Sequence, residues 1–193
     1  MAVFESYYPK TQTGPTVEST AIAGLLKVRP VVIEDERGDF CVTWSEGFEA
    51  AGLPKLNVQQ HNRAYNRARA TRGIHAEPWG KYIIPSSGRF FAPIVDLRPE
   101  SETFGRHEAF DLDPEHGIYV PPGCGNAYQA LTDGVYSYYV EGKWHPGLDF
   151  DVVDCYDPGL AIDWPYPKEQ AIMSPRDRDA AVSIGEIAGR YLR

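Results

Sequence analysis

Short apolar runs alternate with clusters of turn-forming residues along most of this sequence. The runs lie at residues 31–33, 82–84, 89–97, 118–120 and 135–140. They recur at a spacing of roughly ten residues without helical periodicity between them, which is typical of an antiparallel sandwich or barrel. The pattern therefore predicts an all-β fold built from antiparallel strands.

We interpret the 193 residues as a single domain with three parts. Residues 1–30 are weakly patterned and contain three prolines, so we expect an arm that packs on the body or on a partner subunit. Residues 31–165 carry the strand pattern. Residues 174–193 follow as a short helical end.

Three helices are predicted. Residues 19–26 are the helix candidate of the arm, and residues 44–51 form a second short candidate. The last helix has the clearest signal, because Ser174 and Pro175 form an N-terminal capping signature with an acid at residue 177. Apolar residues then recur at helical spacing, at Ile184, Ile187, Ala188 and Tyr191.

Composition agrees with a β-rich protein and limits its partners. Glycine (18) and proline (16) favour turns, and tyrosine (12), phenylalanine (8) and tryptophan (4) favour strands. The net charge of −8 argues against a nucleic-acid partner, which would require a basic patch. No uncharged run is long enough to cross a membrane and no signal peptide is recognisable, so we expect a cytoplasmic protein.

Cysteine and histidine spacing gives no local metal site. Three widely spaced cysteines without a CxxC pair favour a reducing compartment over a disulfide framework. None of the five histidines pairs at i, i+2 or i, i+4, so we expect no metal. A barrel can also collect ligands from distant strands, and that alternative stays open.

One histidine has neighbours suited to acid–base chemistry. His75 follows Arg72 closely and precedes Lys81. The unperturbed pKa of histidine, about 6.5, suits proton abstraction near neutral pH. The two cations could bind an anion or a developing oxyanion. The alternative is a surface histidine beside a turn.

Nine short segments between residues 30 and 180 are specific when taken together. They are Asp35-Glu36-Arg37-Gly38, Gln60-His61-Asn62, Arg72-Gly73-Ile74-His75, Gly80-Lys81, Val95-Asp96-Leu97-Arg98 with Thr103-Phe104-Gly105, Val120-Pro121-Pro122-Gly123, Tyr138, Asp157-Pro158 with Ile162-Asp163-Trp164-Pro165, and Met173-Ser174-Pro175-Arg176-Asp177. In this order they resemble the motifs of the dTDP-4-dehydrorhamnose 3,5-epimerases, a family of cupin-like sugar-nucleotide epimerases.

The resemblance implies an antiparallel jelly-roll (cupin) barrel. It also implies a homodimer that exchanges N-terminal strands, and a reaction without metal or nicotinamide cofactor. The implied substrate is a nucleoside-diphosphate-linked 4-keto-6-deoxy sugar. The implied reaction is epimerisation at carbon 3, carbon 5 or both, through an enolate.

The resemblance also implies roles for individual residues. His75 would remove the proton, and Asp177 would accept a hydrogen bond from the other ring nitrogen of that histidine. Lys81 would lie near the ketone oxygen, and Tyr138 would donate a proton on the opposite face of the sugar. The implied substrate-binding residues are Arg72, Arg37 from the partner chain, Gln60, Asn62, Glu77, Asp96 and Asn126.

From the residues alone, four of these side chains have a structural alternative. Asp177 could only cap the last helix, Tyr138 could fill the barrel, and Lys81 could be a solvated turn residue. Asp96 could be a strand-end carboxylate that holds Arg98.

Three positions depart from the family pattern, which usually has histidine at Asn126, glutamate at Val42 and glutamine at Glu77. They leave the sugar, the nucleoside and the number of inverted carbons open. A ketone-shifting isomerase or a dehydratase of the same cupin group is the alternative function. A non-enzymatic sugar-binding cupin and a metal-dependent dioxygenase are further alternatives.

Overall fold

The computed structural model describes residues 14–148, 150, 152–179 and 181–191. The strands are β1 (Thr16–Ser19), β2 (Leu26–Arg29), β3 (Val32–Asp35), β4 (Gly38–Cys41), β5 (Gln60–Asn66), β6 (Thr71–Ala76), β7 (Lys81–Ile83), β8 (Phe90–Asp96), β9 (His107–Leu112), β10 (Gly117–Val120), β11 (Cys124–Ala130) and β12 (Gly134–Val140). The helices are α1 (Gly47–Ala50), α2 (Pro175–Asp179) and α3 (Ile184–Tyr191), with a 3₁₀ turn at Lys168–Gln170.

Two antiparallel sheets form the body. The larger has the order β1-β2-β10-β7-β12-β5, and the smaller has the order β6-β11-β8-β9. Side chains from both sheets share one apolar core, which includes Ile83 and Ile118 from the larger sheet and Phe90 and Ile94 from the smaller. The predicted antiparallel jelly-roll fold is confirmed.

The C-terminal segment covers the outer face of the smaller sheet. Val153, Leu160 and Ile187 pack in one cluster with Ile74 and Val95. This packing brings α2 against β6. A segment distant in sequence is thereby held beside the strand that carries His75.

The helix predicted over residues 19–26 is wrong. Ser19 ends β1 and Leu26 begins β2, and the two strands pair as a hairpin within the larger sheet. Gly24 has φ +81°, a left-handed conformation that ends helices and favours turns. Residues 14–30 of the predicted arm therefore pack on the body, while residues 1–13 lie outside the described residues.

The other two predicted helices have different outcomes. Helix α1 lies inside the predicted segment 44–51 and buries Phe48. The single helix predicted over residues 174–193 is divided into α2 and α3, because Val182 forms a bridge with Val153 between them. Ser183 and Glu186 exchange hydrogen bonds at the start of α3, which is a capping box that the sequence contains.

The β3–β4 hairpin forms a separate two-stranded sheet. Its Phe40 is 61% exposed, and Val42 and Trp44 just beyond it are also exposed. Arg37 lies in the turn of the same hairpin, between β3 and β4.

Candidate active site

A cavity opens between the two sheets. Its lining residues are Ala64, Arg72, His75, Glu77, Lys81, Ile83, Asn126, Tyr128, Tyr136, Tyr138 and Trp144. They come from β5, β6, β7, β11 and β12 and from the loops beside these strands. Six of the residues that the sequence singles out therefore line one space.

His75, which lines this cavity, forms a hydrogen-bonded pair with Asp177. The distance from His75 Nε2 to Asp177 Oδ1 is 2.7 Å, and the two side chains are 34% and 5% exposed. Burial would raise the pKa of the Asp177 carboxyl, but the hydrogen bond and charge of His75, with help from Ser174 and Arg72, keep it below its ordinary value. The carboxylate thus stays ionised and orients the imidazole ring.

The first turn of α2 places Asp177. Its backbone N–H donates to Ser174 Oγ over 3.1 Å, so Ser174 caps the helix as predicted. The Asp177 carboxylate faces His75. Asp177 therefore does more than cap the helix, which was the purely structural role that the sequence also allowed.

Lys81 is buried at the beginning of β7. Only 5% of the residue is exposed, so it is not the solvated turn residue of the structural alternative. Its Nζ lies 2.7 Å from Glu77 Oε2 and donates to Asn126 Oδ1 over 2.6 Å. Burial lowers the pKa of Lys81, and the Glu77 carboxylate acts in the opposite direction.

Tyr138 projects into the cavity from β12. The Lys81 ammonium lies 5.9 Å from the centre of its ring. Burial raises the pKa of the phenol and the charge of Glu77 raises it further, against the influence of Arg72 and a hydrogen bond from Asn62. The phenol is therefore protonated at neutral pH and able to donate.

The base candidate and the acid candidate come from facing sheets. His75 lies on β6 of the smaller sheet, whereas Tyr138 lies on β12 of the larger sheet. A flat molecule held between the sheets presents one face to each. This arrangement can remove a proton from one face of a carbon and deliver a proton to the other.

A second cavity adjoins the first. Both are lined by Arg72, His75, Glu77 and Trp144, and the second continues to Ser174, Arg176 and Asp177. Arg72 donates from Nε to Asn66 Oδ1 over 3.1 Å, which fixes its stem at the boundary. A ligand longer than one sugar ring can extend from the first cavity into the second.

Sequence reasoning missed three aromatic residues of the first cavity. Trp144 is 49% exposed and lines both cavities. Tyr128 and Tyr136 stack with their ring centres 3.9 Å apart. The sequence signal for Trp144 was a tryptophan within the polar stretch after residue 140. Tyr128 and Tyr136 gave no such signal, because their sequence context is that of core residues.

Four predicted substrate-binding residues do not line the cavity of a single chain: Arg37, Gln60, Asn62 and Asp96. Asn62 forms a hydrogen bond with Tyr138. Gln60 donates to Asn62 Oδ1 and accepts from the backbone N–H of Trp144. Both residues therefore support residues that line the cavity. Arg37 pairs with Asp35 in the turn of the β3–β4 hairpin, where it lines a separate surface pocket.

Asp96 lies outside the cavity, which argues against its predicted substrate-binding role. The residue is fully buried, and its carboxylate accepts hydrogen bonds from Arg98, Ser101 and Thr103. Burial would raise the pKa of this carboxyl, but those bonds outweigh burial and hold the pKa well below its ordinary value. The alternative interpretation, a strand-end carboxylate that holds Arg98, matches the structure.

We therefore expect Asp96→Asn to affect stability and not chemistry. The substitution leaves the Arg98 guanidinium without its counter-charge, so the free energy of unfolding at pH 7 should fall by about 3 kcal/mol. The pKa of Asp96 is lower in the folded state than its unfolded value of about 3.9. Its contribution to the free energy of unfolding is therefore fully present above about pH 3.9 and is lost as the pH falls toward the folded-state pKa. Urea unfolding of the wild-type protein and the variant measures the difference between their free energies of unfolding, which should be smaller at pH 3.5 than at pH 7. An equal difference at both pH values would contradict an ionic origin of the stabilisation.

The described part of the chain contains neither a cluster of metal ligands nor a membrane-spanning helix. No group of three or more His, Cys, Asp or Glu residues there is arranged to hold a metal ion. No helix within residues 14–148, 150, 152–179 and 181–191 is long and apolar enough to cross a membrane.

Comparison with known proteins gives consistent matches. Residues 19–183 match a family model described as dTDP-4-dehydrorhamnose 3,5-epimerase. A protein named RmlC homolog from Streptococcus pyogenes is 36% identical over 156 residues, covering 76% of this chain and 79% of that protein. A dTDP-4-dehydrorhamnose 3-epimerase from Streptomyces niveus is 34% identical over 169 residues, covering 82% and 79%. The solved structure of RmlC from Streptococcus suis in complex with dTDP-D-xylose superimposes with a TM-score of 0.84 at 32% identity, covering 94% and 95%.

Proposed function

Because this chain belongs to the dTDP-4-dehydrorhamnose 3,5-epimerase family, we propose that it epimerises a nucleoside-diphosphate-linked 4-keto-6-deoxy sugar at carbon 3, carbon 5 or both. One observation carries the proposal. His75 and Tyr138, from facing sheets, line a single cavity together with Lys81. The reaction is an isomerisation through an enolate.

Proton removal is the first step. The C–H bonds beside the ketone are acidified by the carbonyl group, and the electron pair left by the proton moves into the ring as an enolate. His75 takes the proton and becomes an imidazolium. Its 2.7 Å hydrogen bond to Asp177 fixes the tautomer and stabilises the new positive charge.

The enolate oxygen needs a stabilising charge, because the carbon acid is far weaker than an imidazolium. Lys81 supplies it as a buried ammonium group on the wall of the cavity. A fixed cation in a site from which water is excluded stabilises developing negative charge more than it would in water. The ketone oxygen therefore points toward β7.

Reprotonation on the other face inverts the carbon. Tyr138 is protonated at neutral pH because burial raises the pKa of its phenol. Its proton passes to the carbon as the enolate returns to the ketone. The larger sheet thus provides the acid and the smaller sheet the base.

The substrate we propose is a dTDP-linked sugar. The matching family model and the Streptomyces niveus relative are named for dTDP sugars, and the Streptococcus suis protein was solved with dTDP-D-xylose. Arg72, at the boundary of the two cavities, is suited to the diphosphate. The sugar then occupies the cavity with Tyr138, and the nucleoside extends into the second cavity.

We also propose a homodimer that exchanges N-terminal strands. Phe40 and Val42 expose apolar surface on a hairpin that pairs with neither main sheet. If this hairpin packs on a second copy, Arg37 can reach the partner's cavity and contact the diphosphate. Sedimentation equilibrium should give twice the mass of one chain, and a monomer at all concentrations would exclude this arrangement.

A reducing, cytoplasmic compartment is the location we propose. Cys41, Cys124 and Cys155 are all free thiols, and two of them are buried. Free thiols persist where glutathione and thioredoxin keep proteins reduced.

Deuterium incorporation tests the proposed function directly. The protein is incubated in heavy water with a dTDP-linked 4-keto-6-deoxyglucose, and the recovered sugar is examined by NMR and mass spectrometry. Deuterium at carbon 3, carbon 5 or both, together with an inverted centre, is the expected result. A ketone moved along the ring would indicate the isomerase alternative, and absence of deuterium at both carbons would refute enolate chemistry on this substrate.

A further inference from the structure

The cavity contains an ion pair between Glu77 and Lys81, and the mechanism assigns a role only to Lys81. Glu77 Oε2 lies 2.7 Å from Lys81 Nζ, and the Glu77 side chain is 13% exposed. We propose that Glu77 is a positioning residue that keeps Lys81 charged and aimed at the enolate oxygen, and that it is not a ligand of the substrate. This inference rests on the proposed function for the role of Lys81, but the state of the ion pair is measurable without substrate.

The surroundings of Lys81 make an unaccompanied ammonium group unfavourable. The residue is 5% exposed, and the aromatic ring of Tyr138 lies beside its Nζ. A buried ammonium without a counter-charge loses its proton instead of remaining ionised. A neutral amine at this position would stabilise an enolate far less than a cation does.

The other groups that face Lys81 cannot replace the Glu77 carboxylate. Asn126 on β11 contributes only a neutral carbonyl oxygen, and Tyr138 on β12 is a neutral phenol. His75 and Arg72 on β6 line the same cavity, and both are neutral or positive. Within 4 Å, Glu77 is the only carboxylate among the described residues that pairs with this ammonium.

The loop that carries Glu77 is fixed by packing. The ring of Trp79 covers Gly142 and leaves no space there for a side chain, and it meets Phe150 edge-on at 5.3 Å. Gly80 follows, and Tyr119 Oη and Glu141 Oε2 occupy the space that a side chain at this position would need. Glu77 therefore holds a set position four residues before Lys81 instead of sampling solvent.

The pair also balances charge during the reaction. The Glu77 carboxylate and the Lys81 ammonium together are neutral in the resting cavity. When the enolate forms, Lys81 is shared between two negative groups, and Asn126 accepts one of its hydrogens throughout. Glu77 Oε2 is committed to Lys81 in this arrangement, and the comparison of KM with kcat separates this role from substrate binding.

The experiment compares Glu77→Gln with two other variants. Glu77→Asp keeps the charge, and Glu141→Gln makes the same chemical change at a carboxylate that accepts from Tyr119 and the Asn57 N–H and is not paired with Lys81. Protein carrying ¹³C,¹⁵N-labelled lysine is titrated by NMR without substrate, and the Lys81 signal is identified by its absence in Lys81→Arg. The pH profile of epimerisation is then measured for each variant.

We expect Glu77→Gln to lower the pKa of Lys81 by about one to three units, since an opposite charge at this range has an effect of that size. The alkaline limb of kcat should move to lower pH by the same amount with little change in KM, because deprotonation removes the catalytic cation. In Glu77→Asp the pKa of Lys81 should stay close to its wild-type value. In Glu141→Gln the pKa of Lys81 should differ from the wild-type value by no more than about half a unit.

Two results would overturn the inference. One is an unchanged Lys81 titration in folded Glu77→Gln, and the other is a raised KM with an unchanged kcat profile, which indicates a substrate ligand. Because Glu77 also raises the pKa of Tyr138, a shifted alkaline limb is assigned to Lys81 only when the NMR titration of Lys81 itself shifts.

If Glu77→Gln does not fold, Glu77→Asp tests the inference through a smaller shift of the Lys81 pKa in the same direction. Failure of the proposed function would leave the titration result intact, so the two failures are distinguishable.

Discussion

Replacing His75 by alanine is expected to abolish proton exchange at carbons 3 and 5. His75 is the only imidazole among the described residues that line the cavity, so the variant has no substitute for it. Loss of a general base typically lowers a rate by 10² to 10⁴-fold, and we expect the upper end of that range, about 10⁴-fold. The measurement is the rate of deuterium incorporation from heavy water, followed by NMR.

His116→Ala is a matched control for this variant. His116 also makes a histidine–aspartate contact, 2.8 Å from Asp113, but in a turn away from the cavity. It should retain the wild-type exchange rate, and circular dichroism should show both variants folded. If His75→Ala keeps more than about a tenth of the exchange rate, the base is a different group and the proposed chemistry needs another origin.

The sequence predicted the strands whose buried positions form a continuous apolar run. In β7 and β10 every residue is buried, and their short apolar runs are visible in the sequence. Strand β5 was missed because exposed and half-buried positions alternate in Gln60–Asn66 and most of its side chains are polar. Strand β11 was missed for the opposite reason, because it is fully buried yet contains glycine, asparagine and glutamine.

The proximity of the site residues could not be derived from local pattern. His75 and Asp177 are 102 residues apart, and their contact exists only because the C-terminal segment packs on β6. The family motifs selected these residues without giving their geometry. Asp96 illustrates the limit of motif transfer, because its place in a segment that resembles a family motif suggested substrate binding, while its carboxylate is occupied by Arg98, Ser101 and Thr103.

Replacing Tyr138 by phenylalanine is expected to separate proton removal from inversion. His75 and Lys81 remain, so the enolate still forms and the same imidazole can return deuterium to the face from which the proton left. Exchange should therefore stay within about ten-fold of the wild-type rate. Formation of the inverted product should fall by about 10² to 10⁴-fold, because the proton donor on the opposite face is missing.

Tyr139→Phe provides the control on the same strand. Because successive side chains of a strand point to opposite faces, Tyr139 lies away from the cavity, stacked with His61 and near Tyr82 and Trp44. Loss of its hydroxyl should change neither rate. Exchange and inversion are measured in one experiment, by following deuterium at each carbon and the configuration of that carbon over time. An equal loss of both in Tyr138→Phe would show that the phenol serves enolate formation, and the opposite-face acid would then have to be another group of the larger sheet.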